Sequence, residues 1–261
     1  MYSEEHIKYI KKNKKQKIFI KISQIFIFIL FIFIWQILAD KEIINTFIFS
    51  SPKNICNTII SLYQSNNLFN HIGITLYEII ISFILSVIIG LIFASFLWLN
   101  KTLAKILDPY LTILNSLPKV ALGPLIIIVV GAKVSSIIVM ALLISTIITI
   151  MNIYHCFNET DKNKIKLFKS FKANRYQIFF KLILPINFSN IISTLKINLS
   201  MTLVGVIMGE LLVSKEGIGY LIMYGSQVFN LNLVMTGIFL LCIIVIILYY
   251  LILYIEKRLI K

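Results

Sequence analysis

Negative charge is scarce in this sequence. Against 25 lysines and arginines stand only 11 aspartates and glutamates, a formal net charge of +14. Such an excess first suggests a nucleic-acid partner. The basic residues, however, concentrate in the N-terminal tail, one central loop and the C-terminus, between apolar stretches. That is the distribution left by positive-inside membrane topology, so no nucleic acid is expected. Cysteine and histidine are almost missing, at 3 each. Cys56, Cys156 and Cys242 are scattered in or near apolar sequence, which excludes a disulfide framework and shows no metal-ligand spacing. His155 and Cys156 adjoin, but no third ligand accompanies them. The scattered histidines also argue against a membrane enzyme acting on lipid, which needs a cluster of His or acidic residues at one membrane face. No GxxxxGK followed by Ser or Thr occurs, so the chain lacks that route to ATP hydrolysis and is expected to be no enzyme.

What is abundant is apolar sequence: 59% of residues are hydrophobic and the mean hydropathy is +0.92, far above a soluble domain. An all-α, polytopic membrane protein follows. Met1 to Lys17, with Lys8, Lys11, Lys12, Lys14, Lys15 and Lys17, precedes a first span from about Ile18 to Leu38. This span is too long for a secretory signal core and lacks a small-residue cleavage site, so it is expected to be retained, anchored by Trp35. From Ile43 to His71 the only basic residue is Lys53, which places the segment outside; Ser51-Pro52 signals a turn before a short surface helix. Further spans are expected over about Ile74 to Leu99, Ala121 to Val130, Val134 to Tyr154, Ile186 to Val213 and Leu233 to Leu253. Pro109, Pro118 and Pro124 rule out one straight helix from Leu107 to Gly131. A short interfacial piece and a marginal span are expected there instead, with Asp108 capping a helix. About six spans with both termini cytoplasmic satisfy hydropathy and charge bias together. The chain divides into a basic tail (1–17), a first helix with an outer segment (18–71), a transmembrane core (72–255) containing the loop 158–185, and a second tail (256–261).

The loop from Asn158 to Pro185 is the most informative stretch, with 7 basic residues between apolar runs. As a helix, its Ile165, Phe168 and Phe171 share a face while Lys162, Lys166 and Lys169 point elsewhere. A solvated or headgroup-lying amphipathic helix is one reading of this pattern.

Along the fifth span Asn187, Asn190, Thr194, Asn198, Thr202, Gly205 and Gly209 recur at steps of three and four, on one side of a helix. Such a stripe either lines a hydrated pathway for a polar solute or packs against neighbouring helices. Lys196, on the opposite side, is expected to snorkel to the cytoplasmic surface. Glu210, near the outer end, either gates or orients a solute, or caps and pairs within the bundle, with the structural role favoured. Glu78 lies near a membrane boundary, where a carboxylate need not be buried.

The run KLFKSFKANRYQIFFKLILP resembles the cytoplasmic-loop signature of ABC importer permeases: Glu-Ala-Ala, three residues, Gly, about nine residues, then Ile-x-Leu-Pro. Ala173, Arg175, Gln177, Leu184 and Pro185 fit it. Lys166, Leu167 and Phe168 stand where Glu-Ala-Ala would be, and Lys172 replaces the Gly, at a position where a left-handed backbone costs Lys what it does not cost Gly. Ser51-Pro52-Lys53, His71 with Thr75-Leu76, the order of Pro118, Ala121, Pro124 and Gly131, and GVIMGELLVSKEGIGYLI from Gly205 to Ile222 extend the resemblance to the permeases of nitrate, sulfonate and taurine importers. Glu78 stands where those carry Arg, whereas Glu210 matches their Glu. The resemblance implies a type I ABC importer permease-like bundle in a bacterial cell membrane, working as a homodimer. It further implies an ABC ATPase subunit that holds the ATP and magnesium, docked on a coupling loop carrying Lys166, Phe168, Phe171, Lys172, Ala173, Arg175 and Pro185. An extracytoplasmic solute-binding protein and a small polar solute, such as a sulfonate, taurine, nitrate or a thiamine precursor, complete what it implies. Asn187, Asn190, Thr194, Asn198, Thr202 and Glu210 are then the candidate pathway residues. The rival, a stand-alone secondary transporter or channel, would be favoured by an inverted repeat or paired intramembrane charges, and the sequence displays neither.

Overall fold

Long runs of Ile, Leu, Phe and Val fold as helices in hydrocarbon because only a helix satisfies its own backbone there. The computed structural model describes residues 4–259, with side chains from residue 12 onward, and no strand occurs among them. The outermost parts of both basic tails and the side chains of Lys8 and Lys11 lie outside the described residues. The first helix, α1 (Glu4–Asp40), is apolar all round from Ile25 to Trp35 and stays exposed on nearly every side there, as a lipid-facing helix does. A short α2 (Thr46–Phe49) and the surface helix α3 (Pro52–Gln64) follow. The latter is started by Ser51, whose hydroxyl accepts from Asn54 N at 3.2 Å, with Pro52 in its first turn.

Helix α4 (Leu68–Leu99) begins six residues before the expected Ile74. Asn100 ends it and caps α5 (Lys101–Ser116), accepting from Leu103 N at 3.1 Å. This corrects the expectation for Asp108, which lies exposed inside α5 ahead of Pro109. A 3-10 turn (Lys119–Leu122) and α6 (Gly123–Val130) are bent 85° from α5. At about 1.5 Å per residue α6 spans roughly 12 Å, too little to cross a bilayer alone. Thus among the described residues 5 helices are long and apolar enough to cross, and the bent pair makes a sixth if counted as one span.

Next come α7 (Val134–Asn158), the loop with α8 (Lys162–Ser170), α9 (Arg175–Ile178), a π turn (Phe179–Ile183) and α10 (Leu184–Ile186), then α11 (Phe188–Val213), α12 (Ile218–Gln227) and α13 (Leu231–Leu259). The centre of the bundle is α4 against α7 against α11, with α12 and α13 laid over it around Ile79, Ile137, Val206, Ile218 and Leu240. Between membrane helices no hydrophobic drive exists, so small residues and interhelical hydrogen bonds decide the fit. Buried Ser82, Ser86, Gly90 and Ala94 follow one another every four residues on α4, and Ala141, Ser145 and Thr149 do so on α7. Gly205 of α11 completes the seam: a Cβ there would sit 2.5 Å from Cα of Ala141, so only glycine admits this approach.

Candidate functional site

The loop between α7 and α11 is built as a rigid unit. Asp161 starts α8 by accepting from Asn163 N at 2.8 Å. The helix stops at Ser170 in a Schellman turn, with Ala173 N donating to Phe168 O at 3.1 Å and Lys172 N to Lys169 O at 2.9 Å. That turn puts Lys172 at φ 57, the left-handed backbone that a Gly would take without strain. A reciprocal capping box, Asn174 with Gln177, then starts α9. Ile178, Phe179, Leu182 and Ile183 are buried against Ala94 of α4 and Ile153 and Phe157 of α7, with Ile165, Phe168 and Ala173 packed on the rim. Arg175 donates from Nη2 to Trp98 O at 2.7 Å, and its guanidinium lies 5.7 Å from the Trp98 ring centroid. At the base, Asn187 donates to Thr160 Oγ1 at 2.7 Å and to Ile183 O at 2.9 Å, closing the two ends of the loop on each other. Pro185 is exposed in α10.

Two expectations for the loop change. Phe171 does not share the packed face of Ile165 and Phe168, because α8 ends one residue before it. It points outward, 76% exposed, with Leu167 at 55% and Tyr176 at 64%, so the loop presents apolar side chains away from the bundle. Lys162, Lys166 and Lys169 are not simply solvated: they border a cavity between α8 and the ends of α4 and α7.

The polar stripe of α11 faces into its own bundle. Asn198 donates to Ser86 Oγ at 2.8 Å and to Thr149 Oγ1, while Thr202 Oγ1 donates to Asn198 Oδ1 at 3.3 Å. Thr194 is buried with its hydroxyl on Asn190 O at 3.0 Å, and Asn190 alone among the six pathway candidates is exposed. The stripe therefore packs, and the buried Asn187, Thr194, Asn198 and Thr202 line no open path in this arrangement, because their amides and hydroxyls are spent on α4, α7 and the chain's own turns. Lys196 reaches the C-terminal end of α13, where its Nζ pairs with Glu256 Oε2 at 2.7 Å.

At the other end of α11, buried Glu210 receives Thr75 Oγ1 at 2.6 Å on one carboxylate oxygen and Gly219 N on the other. Gly217 N donates to His71 Nδ1 at 3.0 Å and Ile218 N to Thr75 Oγ1 at 2.8 Å. The first N–H groups of α12 are thus satisfied by side chains of α4 and α11, with a carboxylate where the helix dipole is positive. Gly217, at φ 103, has room for no side chain: a Cβ would lie 2.5 Å from the Glu210 carboxyl. Glu78, one turn along α4 from Thr75, corrects the boundary expectation. It is fully buried with its carboxyl against that of Glu210, and among the described residues no other group satisfies its oxygens. Ser86 and Thr149, which hold the Asn198 cluster together, escape a reading based on α11 alone, and the four-residue step of small residues on α4 and α7 is the signal that points to them. His71 and Thr75, which hold the start of α12, are marked in the sequence only by the permease resemblance.

The family described as binding-protein-dependent transport system inner membrane component matches residues 86–261. Among similar proteins are the putative aliphatic sulfonates transport permease protein SsuC of Bacillus subtilis, 26% identical over 211 residues covering 81% of this chain and 76% of the relative, and a probable ABC transporter permease protein of Haemophilus influenzae, 28% identical over 217 residues covering 83% and 88%. The formylaminopyrimidine transport permease protein ThiX of Halalkalibacterium halodurans is 26% identical over 193 residues, covering 74% and 76%. Among solved structures, a chain of the MetNI methionine ABC transporter in an inward-facing conformation superposes with a TM-score of 0.62 at 22% identity, over 72% of this chain and 92% of that one, which shows a shared fold.

Proposed function

Because the chain belongs to the binding-protein-dependent transport system inner membrane component family and is a multi-pass permease subunit of an ABC importer, we propose that it pairs with a second copy and carries a separate ATPase subunit on the loop 158–185. The single observation that supports this most is the construction of the loop. It is locked to α4 through Trp98, closed at its base by Asn187 and Thr160, and turns Leu167, Phe171 and Tyr176 outward. A rigid element with apolar side chains facing away from its own bundle transmits a push instead of absorbing it. The ATPase binds the nucleotide and magnesium; this chain supplies the lever and the membrane helices that tilt.

The basic tails and the loop lie on the cytoplasmic side of a bacterial membrane, and a solute-binding protein delivers the cargo to the opposite face. With the Asn198 seam closed by packing, the pathway runs along the part of α11 left exposed in one copy, which includes Ser189, Asn190 and Ser200. Polar groups on a membrane helix stay on such a face where water or a second copy meets them. The cargo is a small polar organic solute of the kind named for the relatives, a sulfonate or a formylaminopyrimidine. Gentle purification of the tagged chain from its own membranes, with mass-spectrometric identification of what accompanies it, tests the reading. An ATPase with a phosphate-binding loop in equal amount is expected. A clean oligomer without a nucleotide-binding partner, under conditions that preserve a control complex, overturns it.

A further inference from the structure

Beneath α8 lies a cavity of about 560 Å³ whose border carries Lys101, Lys162, Lys166, Lys169 and Arg175 and no acidic side chain. Lys162 and Lys166 are four apart and Lys166 and Lys169 three apart, so α8 turns a row of like charges to the same side, an arrangement that destabilises a helix unless something opposes it. Among the described residues none of these five cations is in an ion pair. The four lysines are exposed at the rim, whereas Arg175 is half-buried and held by Trp98 O, leaving the rest of its planar fork of donors for a ligand. The inner wall is aromatic, with Trp98, Tyr154 and Phe157 from the ends of α4 and α7. Trp and Tyr at the ends of membrane helices mark headgroup level.

We propose that this cavity binds a negatively charged phosphate group at the membrane surface, Arg175 providing the geometric contact and Lys162, Lys166 and Lys169 the neutralising charge. The source is either the headgroup of an anionic phospholipid, whose acyl chains would run past the aromatic wall, or a free phosphate-bearing solute. The proposal needs the membrane location of the chain and not its identity as an importer. The side of α8 that lines the cavity is not the side that carries Leu167 and Phe171, so a bound phosphate group and a docked ATPase do not compete.

The test uses the purified full chain in detergent, titrated with phosphatidylglycerol, phosphatidylcholine and inorganic phosphate. Native mass spectrometry reads the lipids and thermal stability reads phosphate. Phosphatidylglycerol is expected to be retained about tenfold better than phosphatidylcholine, and the K166Q/K169Q chain to lose about tenfold of that retention. Retention unaffected by millimolar phosphate assigns the site to the lipid; stabilisation by phosphate that also displaces the lipid assigns it to a free solute. Lys14→Gln with Lys15→Gln removes equal charge from α1 and is expected to lose much less than K166Q/K169Q, since it weakens only the diffuse attraction of the tail for anionic lipid. Equal retention in the K166Q/K169Q and unaltered chains, equal loss in the K14Q/K15Q chain, or binding of neither probe overturns the proposal.

Discussion

Arg175 and Trp98 tie the loop to the bundle: one guanidinium N–H donates to the Trp98 carbonyl at 2.7 Å while the same guanidinium lies over the indole, 5.7 Å from its centroid. A lysine reproduces neither the fork nor the stacking. Arg175→Lys and Arg175→Ala are therefore both expected to lower transport at unchanged membrane abundance. Together the bond and the stacking contribute about 1–3 kcal/mol. Radiolabelled-solute uptake set against immunodetected chain checks this, and full uptake by either variant contradicts it.

Lys172→Gly relieves a left-handed residue at the end of α8. The expected gain is about 1 kcal/mol, whereas Lys172→Val, which adds a β-branch at the same φ, is expected to cost at least as much. Thermal unfolding of the purified chain measures both. The resemblance to permease loops had singled out this position, and the backbone shows the reason: the Schellman turn demands positive φ whichever residue occupies it.

Asn198→Leu strips a buried amide that serves Ser86 and Thr149 at once. A loss of about 1–2 kcal/mol of stability is expected, against almost none for Asn190→Leu at its exposed position. If Asn198 lined the solute path instead, Asn198→Leu would alter uptake while leaving thermal stability unchanged.

Two carboxylates side by side respond oppositely. Glu210 holds the start of α12 through Thr75 and Gly219, so Glu210→Ala is expected to destabilise by about 2–3 kcal/mol. Glu78, buried with no partner but the Glu210 carboxyl among the described residues, is expected to gain stability on replacement by Met. Unfolding measurements on both variants, compared in one detergent, decide the sign.

Much of the fold was legible from hydropathy, since apolar runs and proline positions mark the long helices and the break between α5 and α6. The burial of Glu78 was not. Local hydropathy puts the start of α4 at Ile74, but His71 is covered by the start of α12, a segment 146 residues away by the Gly217–His71 bond. Periodicity correctly put Asn198 and Thr202 on one face of α11, yet what that face meets depends on the small residues of α4 and α7. The loop read well up to Phe168 and then failed at Phe171, because the end of α8 is set by the left-handed turn and not by the apolar spacing.

The central claim is that the outward side of the loop carries the ATPase. It is tested most directly by purifying the tagged chain and a variant with Leu167, Phe171 and Tyr176 all replaced by Ser, and measuring the nucleotide-binding subunit recovered with each. The unaltered chain is expected to bring down about one copy of that subunit per copy of itself. The variant, equally abundant in the membrane because these side chains are mostly exposed, is expected to bring down at least about tenfold less. Equal recovery with both chains would contradict docking through this surface.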